Sequence, residues 1–223
     1  MTLFIYNSGD YILEKESFFI EKFRRFREYL GGVTVARSHI NRIKPEFIST
    51  VDGDILEIGG TDDFFKKRYQ RGDVLNLDVQ AGPHIDLVEN AEHMTSIENE
   101  RFSAIICVSV LEHTHHPSRV MEEMYRVLQP GGKILLSTPW LFEAHMEPQD
   151  YWRFSNHFFT LDQRLETEFI ESSNGYSGLL AHFCQHQILL RCTLGLVFLA
   201  CDLLMRPKFK WATQITCVLK RGH

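Results

Sequence analysis

The sequence predicts a doubly wound α/β fold with a mostly parallel sheet, and three observations support this class. Five short apolar runs are bounded by turn residues, as is typical of strands buried on both faces. A helical pattern over residues 117–129 separates the last two runs and ends at Pro-Gly-Gly. Of the 223 residues, 44% are hydrophobic and 24% are charged, which is the composition of a packed globular domain. The apolar runs are DILEIG (54–59), VLNLDV (74–79), HIDLV (84–88), FSAIICVS (102–109) and GKILLST (132–138).

The residues ahead of the first strand are expected to form a helical cap over residues 1–50. Over residues 14–30, phenylalanines recur at helical spacing among arginines and lysines, which predicts an amphipathic helix. Residues 36–48 predict a second short helix that is weakened at Pro45. The parallel-sheet core is then expected to occupy residues 51–140.

The remaining residues, 141–223, are expected to supply a lid and the C-terminal strands of the same single domain. An irregular, aromatic-rich stretch extends to Phe159. Beyond it the pattern predicts, in order, a helix at 161–172, a strand near 177–184, an apolar helix near 187–204 and a final strand at 211–220.

Charge and cysteine content argue against several classes of protein. The formal net charge of −5 provides no global positive field, so nucleic acid is not an expected partner. The five cysteines form no C-x-x-C pair, which is typical of reduced thiols in a cytoplasmic protein, and no secretion signal is recognised. The apolar segment 192–205 is interrupted by Asp202 and is shorter than the roughly 20 residues of a membrane-spanning helix. No G-x-S-x-G elbow supports a hydrolase.

Two strand ends carry residues suited to a nucleoside. In a doubly wound sheet, ligands bind at the carboxyl ends of the strands. The first strand ends at Gly59-Gly60, where adjacent glycines let the backbone approach a ligand closely. The second ends at Asp78, where an acid can accept hydrogen bonds from both hydroxyls of a ribose.

The residues after the two glycines favour a cationic nucleoside over a dinucleotide. The G-x-G-x-x-G fingerprint is absent, and Thr61, Asp62 and Asp63 follow instead. Two carboxylates at a helix start repel a pyrophosphate, whereas a ligand with a ribose, a positive charge and no phosphate is compatible with them. S-adenosylmethionine is such a ligand.

Four segments then resemble, in order, the motifs of the class I S-adenosylmethionine-dependent methyltransferases: DILEIGG, LNLDV, FSAIICVSVLEHTHHP and YRVLQPGGKILLSTP. The similarity covers about residues 50–140 and lies in the order and spacing of the motifs. It implies a Rossmann-like, seven-stranded sheet with an N-terminal helical cap. It also implies a transferase whose cofactor is S-adenosylmethionine.

The resemblance assigns cofactor-binding roles position by position. Glu57 and Gly59 match the start of the glycine-rich loop, and Asp78 matches the acid that binds the ribose. The remaining assignments are a close backbone approach at Gly60, an adenine contact at Asn90 and Ala91, and packing beside the adenine or the methionine at Val110 and Leu111.

A polar and aromatic segment, HMEPQDYWRFS (145–155), follows the fifth strand and would lie over the cofactor. It resembles a segment of the methyltransferases associated with polysaccharide and glycolipid biosynthesis. Arg153 is suited to an anionic group, and Tyr151 and Trp152 are suited to stacking on a sugar or ring. An ion pair between Asp150 and Arg153, with the aromatic rings packed around it, is an equally open interpretation.

Methyl transfer from a sulfonium needs a general base only when the acceptor must lose a proton. The candidate catalytic residues are His113, His145 and Asp150, and a purely structural role for His113 is an open alternative. No metal site is predicted, because no cysteine or carboxylate at ligand spacing joins His113, His115 and His116.

The resulting functional prediction is methyl transfer to an oxygen or nitrogen of a small molecule or a glycan precursor. Departures from the family at Thr61 and Asp63 leave open a subunit that binds the cofactor without catalysis. A nicotinamide-dependent oxidoreductase shares the sheet but lacks its fingerprint here. The third alternative is a peripheral membrane enzyme acting on a lipid-linked glycan, docked through the apolar helix at 192–205 and the basic residues after it. A core role for that helix is favoured.

Overall fold

The computed structural model describes residues 18–60, 63–145, 149–204 and 212–222, with the side chains of 18–22 and 202–204 left out. Several predicted features lie outside the described residues. They are the start of the first helix at 14–17, the loop residues Thr61 and Asp62, and the lid residues 146–148.

A seven-stranded sheet forms the centre of the fold, as predicted. Its order is β3-β2-β1-β4-β5-β7-β6, in which β1 to β5 are parallel and β7 runs antiparallel to both β5 and β6. The strands are β1 (Ile55–Ile58), β2 (Val74–Asp78), β3 (Leu87–Val88), β4 (Phe102–Val108), β5 (Leu128–Pro139), β6 (Leu165–Ser172) and β7 (Gln214–Arg221).

Helices surround the sheet, and the first two form the expected N-terminal cap. The helices are α1 (Phe18–Leu30), α2 (Val35–Ser49), α3 (Phe64–Arg68), α4 (Pro117–Val127), α5 (Tyr176–Cys184), α6 (Ile188–Leu190) and α7 (Leu196–Leu204). Thr34 caps α2 by accepting a hydrogen bond from the Arg37 backbone N–H at 3.0 Å, and Pro45 is accommodated inside that helix. A π-helical turn, Arg191–Gly195, joins α6 to α7. None of the described helices is long and apolar enough to cross a membrane.

Two predicted elements after the fifth strand were wrong. The segment 161–172 was expected to be helical, but Leu165–Ser172 forms β6. The segment near 177–184 was expected to be a strand, but Tyr176–Cys184 forms α5. Tertiary context decided both cases, because β6 pairs along its length with β7 and the apolar face of α5 packs on α1 and α7.

Apolar clusters pack around the sheet and position its carboxyl edge. One cluster joins β1, β4 and β5 to α4, and another joins the sheet to α2 and α3. The strand order changes direction between β1 and β4, which are adjacent in the sheet but distant in the chain. Ligands bind at such a point in doubly wound sheets, so the structure places the site there.

Candidate active site

A cavity of about 760 Å³ opens at the carboxyl ends of β1, β2 and β4. Six residues predicted from the sequence to act in the site lie on its wall: Gly59, Asp78, Asn90, Ala91, Val110 and His113. The cavity is therefore where the strand order predicted a ligand site.

The glycine turn after β1 keeps this wall free of side chains. Gly59 has a φ of +74°, and a Cβ atom there would lie 2.4 Å from Cγ2 of Val110. A Cβ atom on Gly60 would lie 2.7 Å from the carboxyl carbon of Glu57. Any larger residue would be strained at the first position and would clash at both, so the loop leaves room for a nucleoside.

Three other predicted cofactor-binding residues lie behind the wall. Glu57 is buried, and its carboxylate pairs with Lys44 Nζ at 3.4 Å. Gly60 packs on Glu57, and Leu111 is fully buried in the core beneath the cavity. Since none of the three is on the cavity wall, the direct cofactor contacts assigned to them stay predictions.

Asp78 and Asn90 present polar side chains at the wall. Asp78 ends β2, and its Oδ1 accepts a hydrogen bond from the Gln80 backbone N–H at 2.8 Å. This turn holds the carboxylate at the strand end. The Asn90 side-chain oxygen accepts from the Glu92 backbone N–H at 2.9 Å, so a bond to an adenine amino group would use its second lone pair.

Asp63, one of the two acids expected to disfavour a phosphate, is paired within the structure. Its carboxylate lies 2.7 Å from Lys67 Nζ, one turn along α3, and this hydrogen bond lowers the pKa of Asp63. Its negative charge is thus partly balanced locally. Thr61 and Asp62 lie outside the described residues, so the rest of that argument stays a prediction.

Glu112 is a site residue that sequence reasoning missed. It lies in the 3-10 turn Leu111–His113 after β4, and its side chain is fully buried. Neither carboxylate oxygen meets a hydrogen-bond donor from another described residue, and burial raises the pKa of Glu112 to about 8. The only sequence signal was its place beside His113 in the LEH segment, since burial cannot be recognised from one charged residue in a turn.

Two candidate catalytic histidines lie against each other beside Glu112. The rings of His113 and His145 pack edge to face with centroids 4.8 Å apart. Nδ1 of His113 is 2.7 Å from the Gln149 carbonyl oxygen, and Nδ1 of His145 is 3.2 Å from Oδ2 of Asp150. Burial lowers the pKa of His145. The lid thus brings together residues that are far apart in the chain.

The third candidate base, Asp150, is paired with Arg153. The Asp150 side chain is 1% exposed and makes two contacts with the guanidinium, one of them at 2.6 Å. Hydrogen bonding to Arg153 lowers the pKa of Asp150 to about 2, which makes it a poor proton acceptor near neutral pH. Arg153 also donates to the Glu143 carbonyl at 3.0 Å. This geometry favours the ion-pair interpretation of the lid, and anion binding by Arg153 stays a prediction.

The two lid aromatics are each 44% exposed. The Tyr151 hydroxyl lies 3.0 Å from Nε2 of His115, and the Trp152 indole N–H donates to the Thr114 carbonyl at 2.9 Å. These bonds tie the lid to the loop after β4 while leaving ring surface accessible. The arrangement is compatible with the predicted stacking on an acceptor.

Comparisons with known proteins agree with this geometry. A methyltransferase-domain family matches residues 59–136, which include the glycine turn after β1, Asp78 and the turn after β4. A ubiquinone biosynthesis O-methyltransferase of Xanthomonas oryzae pv. oryzae is 35% identical over 51 residues, covering 23% of this chain and 21% of that protein. A ubiquinone/menaquinone biosynthesis C-methyltransferase of Bartonella tribocorum is 30% identical over 111 residues, covering 47% of this chain and 36% of that protein. The matched segment thus spans about a fifth of the first of these relatives.

Solved structures share the whole fold at low sequence identity. A methyltransferase from Archaeoglobus fulgidus, described as SAM dependent, has a TM-score of 0.53 at 11% identity and covers 89% of this chain and 99% of its own. The 1,6-didemethyltoxoflavin-N1-methyltransferase of Burkholderia thailandensis has a TM-score of 0.55 at 11% identity, and the match covers 92% of this chain and 86% of that chain. Fold, motif order and domain match agree, and the cofactor that fits the side-chain-free turn and Asp78 is S-adenosylmethionine. Residues 59–136 therefore match a methyltransferase domain, and the chain shares the fold of S-adenosylmethionine-dependent methyltransferases.

Proposed function

We propose that the chain transfers a methyl group from S-adenosylmethionine to an oxygen or nitrogen of a small molecule or glycan precursor. The observation that carries this proposal is the cavity between β1 and β4. Gly59 and Asp78 lie on its wall at the strand ends, and His113 lies on the same wall. One cavity therefore offers both a nucleoside site and groups that can receive a proton.

The residues have separate tasks in this reaction. Bound S-adenosylmethionine supplies a methyl carbon on a positively charged sulfur. Asp78 accepts hydrogen bonds from the ribose hydroxyls, and the turn at Gly59 lets the ligand lie against the backbone. Tyr151 and Trp152 pack over the loop after β4 and help to exclude water and orient the acceptor.

Among the three candidate bases, the geometry favours the histidines over Asp150, which is paired with Arg153. His113 Nδ1 donates to the Gln149 carbonyl, so its Nε2 carries the lone pair. A cytoplasmic location is part of the proposal, in keeping with five cysteines that are all free in the structure.

Calorimetric titration of the purified protein with S-adenosylmethionine and S-adenosylhomocysteine tests the cofactor assignment. Micromolar binding of both is expected, with no binding of a nicotinamide dinucleotide. Binding of the dinucleotide alone would contradict the methyltransferase proposal and favour an oxidoreductase. Transfer of a labelled methyl group is then assayed on a panel that begins with sugar nucleotides. Cofactor binding without turnover on any acceptor would favour a non-catalytic subunit.

A second candidate, a peripheral membrane enzyme, is favoured by exposed apolar side chains on the C-terminal helices. Leu199, inside the segment 192–205 that was expected to dock, is not among them, because it is 1% exposed and packs with Tyr29 and Ala181. The exposed set is instead Phe183, Ile188, Leu189, Leu194 and Val197.

Co-sedimentation with anionic phosphatidylserine vesicles tests this second candidate. If these helices dock on lipid, the wild-type protein pellets and the Leu194→Asp/Val197→Asp double variant stays in the supernatant. Leu161→Asp is the matched control, because Leu161 is 72% exposed but lies in the turn before β6. Equal behaviour of all three proteins would remove the membrane candidate.

A further inference from the structure

Three potential ligand atoms converge beside the cavity, outside the groups that hold the nucleoside. Oε1 of Glu112 lies 3.9 Å from Nε2 of His113 and 3.7 Å from Nε2 of His145. All three atoms lie within 4.8 Å of one another. These distances are too long for direct hydrogen bonds and leave space for a small species between them.

Both imidazole rings are oriented so that an unprotonated nitrogen faces this space. His113 Nδ1 must carry the proton, since its partner at 2.7 Å is the carbonyl oxygen of Gln149. His145 Nδ1 lies 3.2 Å from the Asp150 carboxylate without a hydrogen bond to it, and the negative charge there favours the proton at Nδ1. The second nitrogen of a metal-bound histidine typically donates to a carbonyl or a carboxylate, as Nδ1 of His113 does to Gln149.

The buried carboxylate completes the set and has no cation of its own. Both oxygens of Glu112 lack a donor from another described residue, although the side chain is fully buried. The nearby cation Arg153 is engaged with Asp150. Two lone pairs and a buried carboxyl group thus face one point without a donor between them, and a cation bound there would stabilise the charged form that burial disfavours.

We propose that Glu112, His113 and His145 bind one divalent cation with the ligand preference of zinc. Two nitrogens and one carboxylate oxygen are the ligand set of open zinc sites, in which another position is left for water or substrate. Zinc binds such atoms at about 2.0–2.2 Å in a tetrahedral arrangement, so two ligands of one ion lie roughly 3.4 Å apart, and the rings would move inward by several tenths of an ångström or more to bind it.

A second cluster of the same composition provides an internal contrast. Nε2 of His182 and Nε2 of His186 each lie 2.7 Å from a different oxygen of Glu143. These are ordinary hydrogen-bond distances, so this carboxylate already has a partner at each oxygen. His186 is the more exposed of the two histidines and serves as a matched control.

The site differs from the expectation of no metal that was drawn from the sequence. The sequence grouped His113 with its neighbours His115 and His116. In the structure, His113 instead lies near Glu112 and near His145 of the lid. The use of this site in catalysis rests on the proposed function. A cation here would bind the acceptor oxygen and lower its pKa, which replaces a free imidazole base.

The test is metal binding by tag-free protein that has been stripped with a chelator and kept reduced. Calorimetry with Zn²⁺ and the visible absorption of Co²⁺ report affinity and coordination. We expect one site per chain in the wild-type and in His186→Ala. We expect affinity to fall by about 100-fold or more in Glu112→Gln, which loses the negative charge of the ligand, and in His145→Ala, which loses the ligand itself. Circular dichroism confirms that each variant is folded.

The outcomes separate this inference from the proposed function. Unchanged Zn²⁺ affinity in folded Glu112→Gln and His145→Ala, or a loss confined to His186→Ala, would overturn the site. Absence of Zn²⁺ binding in the wild-type protein would do the same, even if S-adenosylmethionine binds. Zn²⁺ binding that depends on Glu112, in a protein that does not bind S-adenosylmethionine, would support the site while contradicting the proposed function.

Discussion

Asp78 lies at the end of β2 on the cavity wall, and we propose that it binds the cofactor's ribose. We expect Asp78→Ala to weaken S-adenosylmethionine binding by about 1.5–3 kcal/mol, because charge-assisted hydrogen bonds to the ribose are lost. Asp162→Ala is the matched control, since Asp162 accepts an equivalent backbone bond from Arg164 at 3.0 Å but is not on the cavity wall. Equal calorimetric affinities for Asp78→Ala and the wild type would contradict the assignment.

Gly59 shows how backbone conformation constrains one residue of the turn. We expect Gly59→Ala to lower the free energy of unfolding by about 2 kcal/mol, because alanine is strained at a φ of +74° and its Cβ would clash with Val110. Gly82→Ala, also on the cavity wall, places its Cβ no closer than 3.4 Å to Ile85 and serves as the control. Urea unfolding of both variants measures the difference, and similar midpoints would contradict it.

Arg153 tests whether the lid ion pair is structural. Arg153→Met leaves the Asp150 carboxylate, 1% exposed, without its main partner, so we expect a loss of about 3 kcal/mol in stability. Arg164→Met breaks a comparable pair with Asp162 in which the arginine is 50% exposed, and we expect a loss below about 1 kcal/mol. Thermal unfolding compares the two. If Arg153→Met is as stable as the wild type and loses only acceptor binding, the result would contradict a structural ion pair and support binding of an anionic acceptor group by Arg153.

At the scale of elements, a buried polar network fixes the junction between β6, α5 and β7. Asn174 is fully buried, and its side-chain oxygen accepts from the Thr213 backbone N–H at 3.1 Å. We expect Asn174→Ala to reduce stability by about 1–3 kcal/mol, because this buried donor loses its partner. Asn156→Ala, in the turn before the 3-10 helix Phe158–Thr160, is the control for chemical denaturation. Equal unfolding midpoints for the two variants would contradict a role for the network.

At the scale of the whole molecule, cofactor binding should couple to global stability. The cavity wall draws on β1, β2 and β4, so a ligand there holds together strands from separate parts of the chain. S-adenosylhomocysteine at 100 times its Kd is expected to add about 2.7 kcal/mol, which raises Tm by roughly 5–10 °C for a chain of this size. Scanning fluorimetry checks this shift, with a nicotinamide dinucleotide as the control. A rise in Tm with the dinucleotide alone would contradict the assignment of S-adenosylmethionine as the cofactor.

The sequence by itself determined the parallel half of the sheet and pointed to residues that line the cavity at its carboxyl edge. Strands β1, β2 and β4 are short apolar runs between turns, and their ends carry Gly59 and Asp78. These signals are local, because a strand buried on both faces must be apolar and a tight turn beside a ligand requires glycine.

Only the tertiary structure decided the second half of the chain and the acceptor side of the site. The segment Leu165–Ser172 became a strand because β7 offered it an edge, and Leu199 became core because α1 and α5 cover it. The lid residues His145 and Gln149, which are distant in sequence, lie against Glu112 and His113. Burial and contacts between distant segments set these properties, and no local pattern records them.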